Sequence, residues 1–297
     1  MKYTTSVILL VLFTITSSFA GGWPQPKGHG FFKLSEWWIV SDQHYTDQGR
    51  IDPNLTNGIF NTSIYAEYGF TNRLTGIIYA PIFSRSLHYN TVSATTGEVS
   101  IPGEAINSIG DFDVSLKYGL IEGPVVLSAT LTLGLPIGND GGGALGILQT
   151  GDGEFNQLFR LDIGSGFNIG QTTGYATAYG GYNNRTNGFS DEFRYGVEAG
   201  INLFNNRITA IARLFGVQSL RNGDIGIGEN STSIFANNSE HLTFGPEIAY
   251  NINDRWGVSA GFGTALSGQL IYAATSYNVG VFFKLKPKQQ KSSRYGL

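Results

Sequence analysis

Tyr277-Asn278-Val279-Gly280-Val281-Phe282-Phe283-Lys284-Leu285 decides the fold. Every second residue, Tyr277, Val279, Val281, Phe283 and Leu285, is apolar; Asn278, Gly280 and Lys284 share the other phase with Phe282. A period of two means a β-strand with one apolar and one mostly polar face, because successive side chains leave a strand on opposite sides.

Outward from this stretch, the same alternation recurs from Gly30 in blocks of about ten residues, the length of a tilted membrane strand. Phe60, Ile64, Ala66 and Tyr68 oppose Glu67, and Phe112, Val114, Leu116 and Tyr118 oppose Asp111, Asp113 and Lys117. Phe193, Tyr195 and Val197 oppose Glu192, Arg194 and Glu198; Leu242, Phe244, Ile248 and Tyr250 oppose Glu247. A charge facing mid-bilayer costs ~2–4 kcal/mol, so lipid would enforce this segregation. A soluble sandwich alternates too, so alternation alone leaves both architectures open.

Turn parity separates them. Phe70-Thr71-Asn72-Arg73-Leu74, Phe204-Asn205-Asn206-Arg207-Ile208 and Ile252-Asn253-Asp254-Arg255-Trp256 are short turns between alternating strands. Longer Gly/Asn/Ser-containing stretches, near Ser86–Gly110, Ser219–Glu240 and Ser267–Ala274, connect the opposite ends. Short turns on one rim and long loops on the other are the outer-membrane pattern. The expectation is an all-β, single transmembrane antiparallel up-and-down barrel over residues 30–285, of about twelve strands, with ten or fourteen also open. Strands are expected near 30–41, 59–70, 74–85, 110–120, 125–136, 155–168, 174–183, 191–204, 207–218, 241–252, 255–266 and 275–285. In the first, Lys33 and Glu36 fall on opposite phases; 174–183 is too glycine-rich to phase.

Composition agrees. Of 297 residues 41 are Gly, 13% are aromatic, only 14% are charged and none is Cys. That excludes disulfides and thiolate metal sites, and a net charge of −3 argues against nucleic-acid partners. Residues 1–20 read as a signal peptide: Lys2, an apolar run from Val7 to Ile15, and Ser18-Phe19-Ala20 before the cut. Residues 21–29, broken by Pro24, Pro26 and glycines, are an N-terminal leader or a plug for the barrel mouth. Residues 286–297 form a basic tail, expected in the periplasm.

The closing stretch resembles the C-terminal recognition strand of bacterial outer-membrane barrels, with Asn278, Gly280, Phe283 and Leu285 as its assembly signal. Tyr68-Gly69-Phe70-Thr71-Asn72-Arg73-Leu74-Thr75 resembles the strand–turn–strand of the meta-pathway phenol-degradation-type outer-membrane family. Ile109-Gly110-Asp111-Phe112-Asp113 and Leu133-Gly134-Leu135-Pro136-Ile137-Gly138 are similar to two further elements of it, and Trp23–Gly28 resembles XagA-like barrels. The resemblance implies a Gram-negative outer-membrane channel for passive transport of a small hydrophobic or aromatic solute. Its implied partners are outer-membrane lipid, lipopolysaccharide and the barrel-assembly machinery; permeant and oligomeric state stay open.

Three groups of residues are candidates for function. Glu67, Asp111, Asp113, Lys117, Arg160, Asp162, Glu192, Arg194, Glu198, Arg213 and Glu247 are expected to face the lumen, as an ion-pair filling or as a selectivity constriction. Pro81, Pro136 and Pro246, expected toward the long-loop ends, mark rims or bulges, or a lateral opening for a hydrophobic solute. Catalysis is not expected, since only Ser86 and His88 pair a hydroxyl with a histidine and no orienting acid is evident. No cofactor or metal is expected. The alternative to a channel is a non-conducting structural or envelope barrel tied to surface polysaccharide or biofilm, with an outer-membrane lipid enzyme as the third reading.

Overall fold

The computed structural model describes residues 21–228 and 234–287. The expected signal peptide and the tail from residue 288 lie outside the described residues. Twelve long strands form the wall: β1 (Gly30–Tyr45), β2 (Ile51–Gly69), β3 (Leu74–His88), β4 (Phe112–Ile121), β5 (Val125–Leu135) and β6 (Asn156–Ile169). They continue as β7 (Thr172–Asn184), β8 (Glu192–Leu203), β9 (Ile208–Ser219), β10 (Glu240–Asn251), β11 (Trp256–Gln269) and β12 (Thr275–Leu285). Each pairs antiparallel with the next, and β12 returns to β1 from Gly30↔Leu285 to Ile39↔Ser276. The sheet of twelve long strands therefore closes on itself.

Burial is inverted relative to a soluble domain. Glu67, Lys117 and Asp162 are each 2% exposed, whereas the outward Leu116 is 54% and Val281 46% exposed. This is the distribution that lipid outside and a polar interior impose. Aromatic side chains ring the periplasmic end of the seam, where Phe283 packs on Trp256 and Phe32 with centroids 4.9 and 6.3 Å apart. Higher on the wall Trp38 stacks on Tyr277 at 5.8 Å.

The first strand resolves its conflicting charges by splitting them. Lys33 points inward to Glu247 at 2.8 Å, and Glu36 points outward, where the Thr62 hydroxyl donates to it at 2.6 Å. Two expected turns share one device. The Thr71 hydroxyl accepts from the amides of Arg73 and Leu74, and the Asn253 carboxamide oxygen from those of Arg255 and Trp256. The third instead passes through left-handed Phe204, Asn205 and Asn206 (φ 51, 55 and 64°).

The long-loop side departs most from expectation. β2 begins at Ile51, not near 59, because its polar start pairs with β1 up to Tyr45↔Ile51 in a hairpin above the lipid-facing band. Such a hairpin is held by its backbone ladder, so it carries no lipid-driven alternation to read. Within the stretch read as loop 86–110, Glu104–Ser108 pairs with the upper part of β3 before β4 takes over.

Pro81 and Pro246 lie within paired strands, and Pro136 lies beyond the end of one. Pro81 sits at a bulge, with Ser63↔Pro81 and Thr62↔Phe83 paired on one side, and its carbonyl accepting from Gly110 N at 2.8 Å on the other. Pro246 lies in the middle of β10, not toward its loop end, and pairs with Ala212 in unbroken register with β9. Toward β11 the register is the same before and after it, Phe244↔Thr264 and Glu247↔Gly261. Pro136 follows the end of β5. A bulge absorbs a missing N–H without separating strands.

Candidate functional site

The leader turns back from Gly30 into the barrel. At the periplasmic rim Gly28 N donates to Gly69 O at 2.8 Å and Gly69 N to His29 O at 3.0 Å. A Cβ on Gly69 would overlap the carbonyls of Gln25 and Pro26, so glycine is required for this close approach. Further in, Gln25 N donates to the Thr75 hydroxyl and Gln25 Nε2 to Glu67, each at 2.7 Å. Trp23 then meets Tyr175 edge-on with centroids 6.2 Å apart, and Lys117 Nζ donates to the carbonyl of Gly21. The segment thus crosses from β1 to the opposite wall at β6 and β7.

Beside it runs a chain of charges. Lys33 and Arg213 share Glu247 at 2.8 and 2.6 Å, and Arg213 also pairs with Glu198, which accepts from Tyr175 OH at 2.6 Å. On the far wall Arg160 pairs with Asp162 at 3.0 Å, and the Thr130 hydroxyl donates to Asp162 at 3.1 Å. Tyr65 OH donates to Glu67. In this tier acids (Glu67, Asp162, Glu198, Glu247) equal bases (Lys33, Lys117, Arg160, Arg213) in number. Glycine makes room for one of the links: a Cβ on Gly280 would stand 2.7 Å from Lys33 Cε.

A cavity of about 380 Å³ lies between the leader and β8–β12, lined by Phe31, Tyr65, Tyr79 and Tyr175 together with Lys33, Arg213 and Glu247. It reaches Asn206, Asn251 and Lys284 near the periplasmic turns. Its walls are aromatic, and its charges face one another. Such a space offers aromatic faces to rings or alkyl groups and paired charges to polar atoms.

A second cluster lies at the long-loop end. Arg185, just past β7, holds Asp152, Glu154 and Glu192 at 3.2, 2.5 and 2.8 Å, and Arg194 adds to Glu192 at 2.7 Å. Burial alone would lower Arg185, but Glu192, Glu154 and Asp152 more than offset it and hold its pKa above the ordinary value. Burial raises Glu154 despite Arg185 beside it. Asp111 is not a lumen-strand residue: it precedes β4 and accepts from the amides of Gly138 and Asp152, each at 2.8 Å. Burial, with Asp152 nearby, pushes its pKa up to about 7 against those two amide donors.

The remaining sequence candidates, Glu67, Asp113, Lys117, Arg160, Asp162, Glu192, Arg194, Glu198, Arg213 and Glu247, lie on inward positions of their strands. Sequence reasoning missed Lys33, which sat in a strand with contradictory phase, and Arg185, which lies in a loop. It also missed Tyr175 and Tyr179, in the strand too glycine-rich to phase, and Tyr65 and Tyr79, which carry no charge to mark them although Tyr65 shares the phase of Glu67. Of the histidine-bearing pair, His88 is buried 4.0 Å from Glu104 and contacts the Tyr89 carbonyl, with no contact to Ser86.

No family profile and no curated protein matches the chain. Solved structures do. The COG4313 outer membrane channel from Pseudomonas putida F1 is 15% identical, covers 89% of this chain and 97% of its own, and superposes with a TM-score of 0.56. The β domain of the Bordetella autotransporter BrkA (14%, 87% and 99%, TM-score 0.47) and the KdgM porin (9%, 86% and 98%, 0.44) are more distant. A closed antiparallel barrel with an apolar exterior and a charged interior is an outer-membrane β-barrel, and the chain is one of the bacterial outer membrane.

Proposed function

We propose that the protein is an outer-membrane channel for passive transport of a small solute of hydrophobic or aromatic type, with residues 21–28 as a plug that narrows the lumen. The carrying observation is the cavity beside the leader, where aromatic rings and the Lys33–Glu247–Arg213–Glu198 chain border an open space that reaches the periplasmic turns. A lumen closed by structure alone would need neither that space nor its aromatic lining. The fold likeness to the P. putida outer membrane channel is compatible with this reading. Lipopolysaccharide and lipid contact the outward face, and Phe283 and Leu285 address the barrel-assembly machinery. Pro81, Pro136 and Pro246 are in this reading wall features, and the solute leaves along the lumen.

The test is planar-bilayer conductance of the purified protein, intact and lacking residues 21–28. Discrete openings that enlarge on removal of the leader support the proposal. Absence of conductance from both forms overturns it in favour of a non-conducting envelope barrel, a reading that the dense ion pairing of the lumen also favours.

A further inference from the structure

Gly21 and Gly22 are seated on the lumen wall. A Cβ on Gly22 would stand 3.1 Å from Gly164 N and 3.2 Å from the Ile163 carbonyl carbon. One on Gly21, whose φ is +126°, would stand 2.7 Å from Thr177 Cγ2. Only glycines let the backbone lie flush here, with the Gly21 carbonyl on Lys117 Nζ. The sequence places the secretory cut at the bond preceding this residue, after Ser18-Phe19-Ala20.

We propose that processing creates a cationic site inside the channel: the free α-amino group of Gly21, which biases the lumen toward anions and titrates near neutral pH. Hydrolysis by a secretory peptidase adds water across the Ala20–Gly21 amide, leaving a carboxylate on Ala20 and an ammonium on Gly21. This deepens the channel reading and rests on it.

The surroundings explain why the new charge would not be silent. This end of the leader rests on Lys117 of β4, around which stand Glu67 on β2, Arg160 and Asp162 on β6 and Glu198 on β8, and Tyr175 on β7 meets Trp23. Each acid among them already has partners: Glu67 binds Tyr65 and Gln25, Asp162 binds Arg160 and Thr130, and Glu198 binds Tyr175 and Arg213. With Lys33, Arg213 and Glu247 counted, the eight charged side chains of the tier balance without the terminus, so an added ammonium gives the tier a net positive charge. A free α-amino group titrates at about 7.7–8.0, far below arginine, so it can be switched while the arginines keep their charge.

The experiment uses the mature protein purified from outer membranes. Mass spectrometry of its first peptide should begin at Gly21. Half of the preparation is N-α-acetylated while unfolded, refolded and checked for barrel mobility. Reversal potentials are then measured across a KCl gradient at pH 6.5 and pH 9. The unmodified channel should lose anion preference by about twofold or more between these pH values, and the acetylated channel should already show the pH 9 ratio at pH 6.5. A first residue other than Gly21 overturns the proposal, as does a conducting channel whose ion preference acetylation leaves unchanged. If the acetylated chain fails to refold, the pH comparison on Lys117→Met decides: a pH-dependent ion preference that persists upholds the proposal, and its loss overturns it. No conductance in any preparation overturns the channel reading, and this site with it.

Discussion

The two charged regions of the lumen use the same residue types to opposite ends. In the lower tier, acids and bases on rigid strands balance one another, and the leader lies across them. In the upper cluster Asp111, Asp113, Asp152, Glu154 and Glu192 outnumber Arg185 and Arg194, and loop amides supply what is lacking: Gly138 and Asp152 to Asp111, Thr186 to Glu154. Strand positions fix side chains at set spacings, so an ion pair can be complete there without the backbone. Loop backbone has free amides to donate, so excess carboxylate can be held where β-ladders end. The lower tier is therefore suited to filtering a solute, and the upper one to holding loops together.

Both tiers hang on the closing seam, so the largest effect is expected there. Replacing Phe283 and Leu285 together by Ala removes the Trp256 and Phe32 contacts and the terminal apolar signal. Outer-membrane fractionation should then find no folded barrel, while the secreted chain still reaches the periplasm. A variant that still inserts would separate seam from assembly.

Arg185→Met tests the upper region alone. Leaving Asp152, Glu154 and Glu192 without their shared cation should cost about 3–5 kcal/mol, the scale for breaking a buried pair. Proteolysis should then cut the loops at residues 136–155 and 185–191 while the β1–β12 seam stays protected. Equal sensitivity of the seam would mean the two tiers are one cooperative unit.

Gly280→Val tests the lower one. The added side chain meets Lys33 and the Leu34 carbonyl, and should cost about 1–3 kcal/mol by overpacking. Displacing Lys33 from Glu247 should alter single-channel ion preference and leave loop proteolysis unchanged.

The smallest effect is a pH response of the upper cap. Asp111 is raised to about 7 in the folded protein, above its unfolded value of about 3.9, so the folded state holds the proton more tightly. Stability from this group is thus fullest at low pH and falls as pH rises from about 4 through about 7. With solvent screening the change is about 1 kcal/mol. Loop protection from protease should be greater at pH 5 than at pH 8, and Asp111→Asn should flatten the difference. A cap equally protected at both pH values would show that the Gly138 and Asp152 amides alone set its strength.

How far each region could be read from sequence follows from the same contrast. Val279, Val281 and Phe283 against Asn278 and Gly280 announce a lipid-facing strand, because a two-residue period survives any register. The lumen charges on β4, β8 and β10 follow from that phase. Lys33 did not, since Glu36 on the opposite phase hid which side was inside until Thr62 was seen to hold Glu36 outside. Nor did Arg185, because a loop has no period; its three partners come from positions 152, 154 and 192 through the fold. Tyr65 already shares the phase of Glu67, but only the closed barrel brings it and Tyr79 to one cavity.

By itself, then, the sequence determined the class of fold, the inside and outside of most strands and the seam where the barrel closes. All of these follow from the cost of placing polar groups in lipid, a cost paid residue by residue along the chain. Tertiary structure alone decided which charges meet, that Pro81 and Pro246 lie within paired strands, and that Gly21–Gly28 folds back across the lumen. Those outcomes depend on distances between residues far apart in the chain, and no local pattern encodes them.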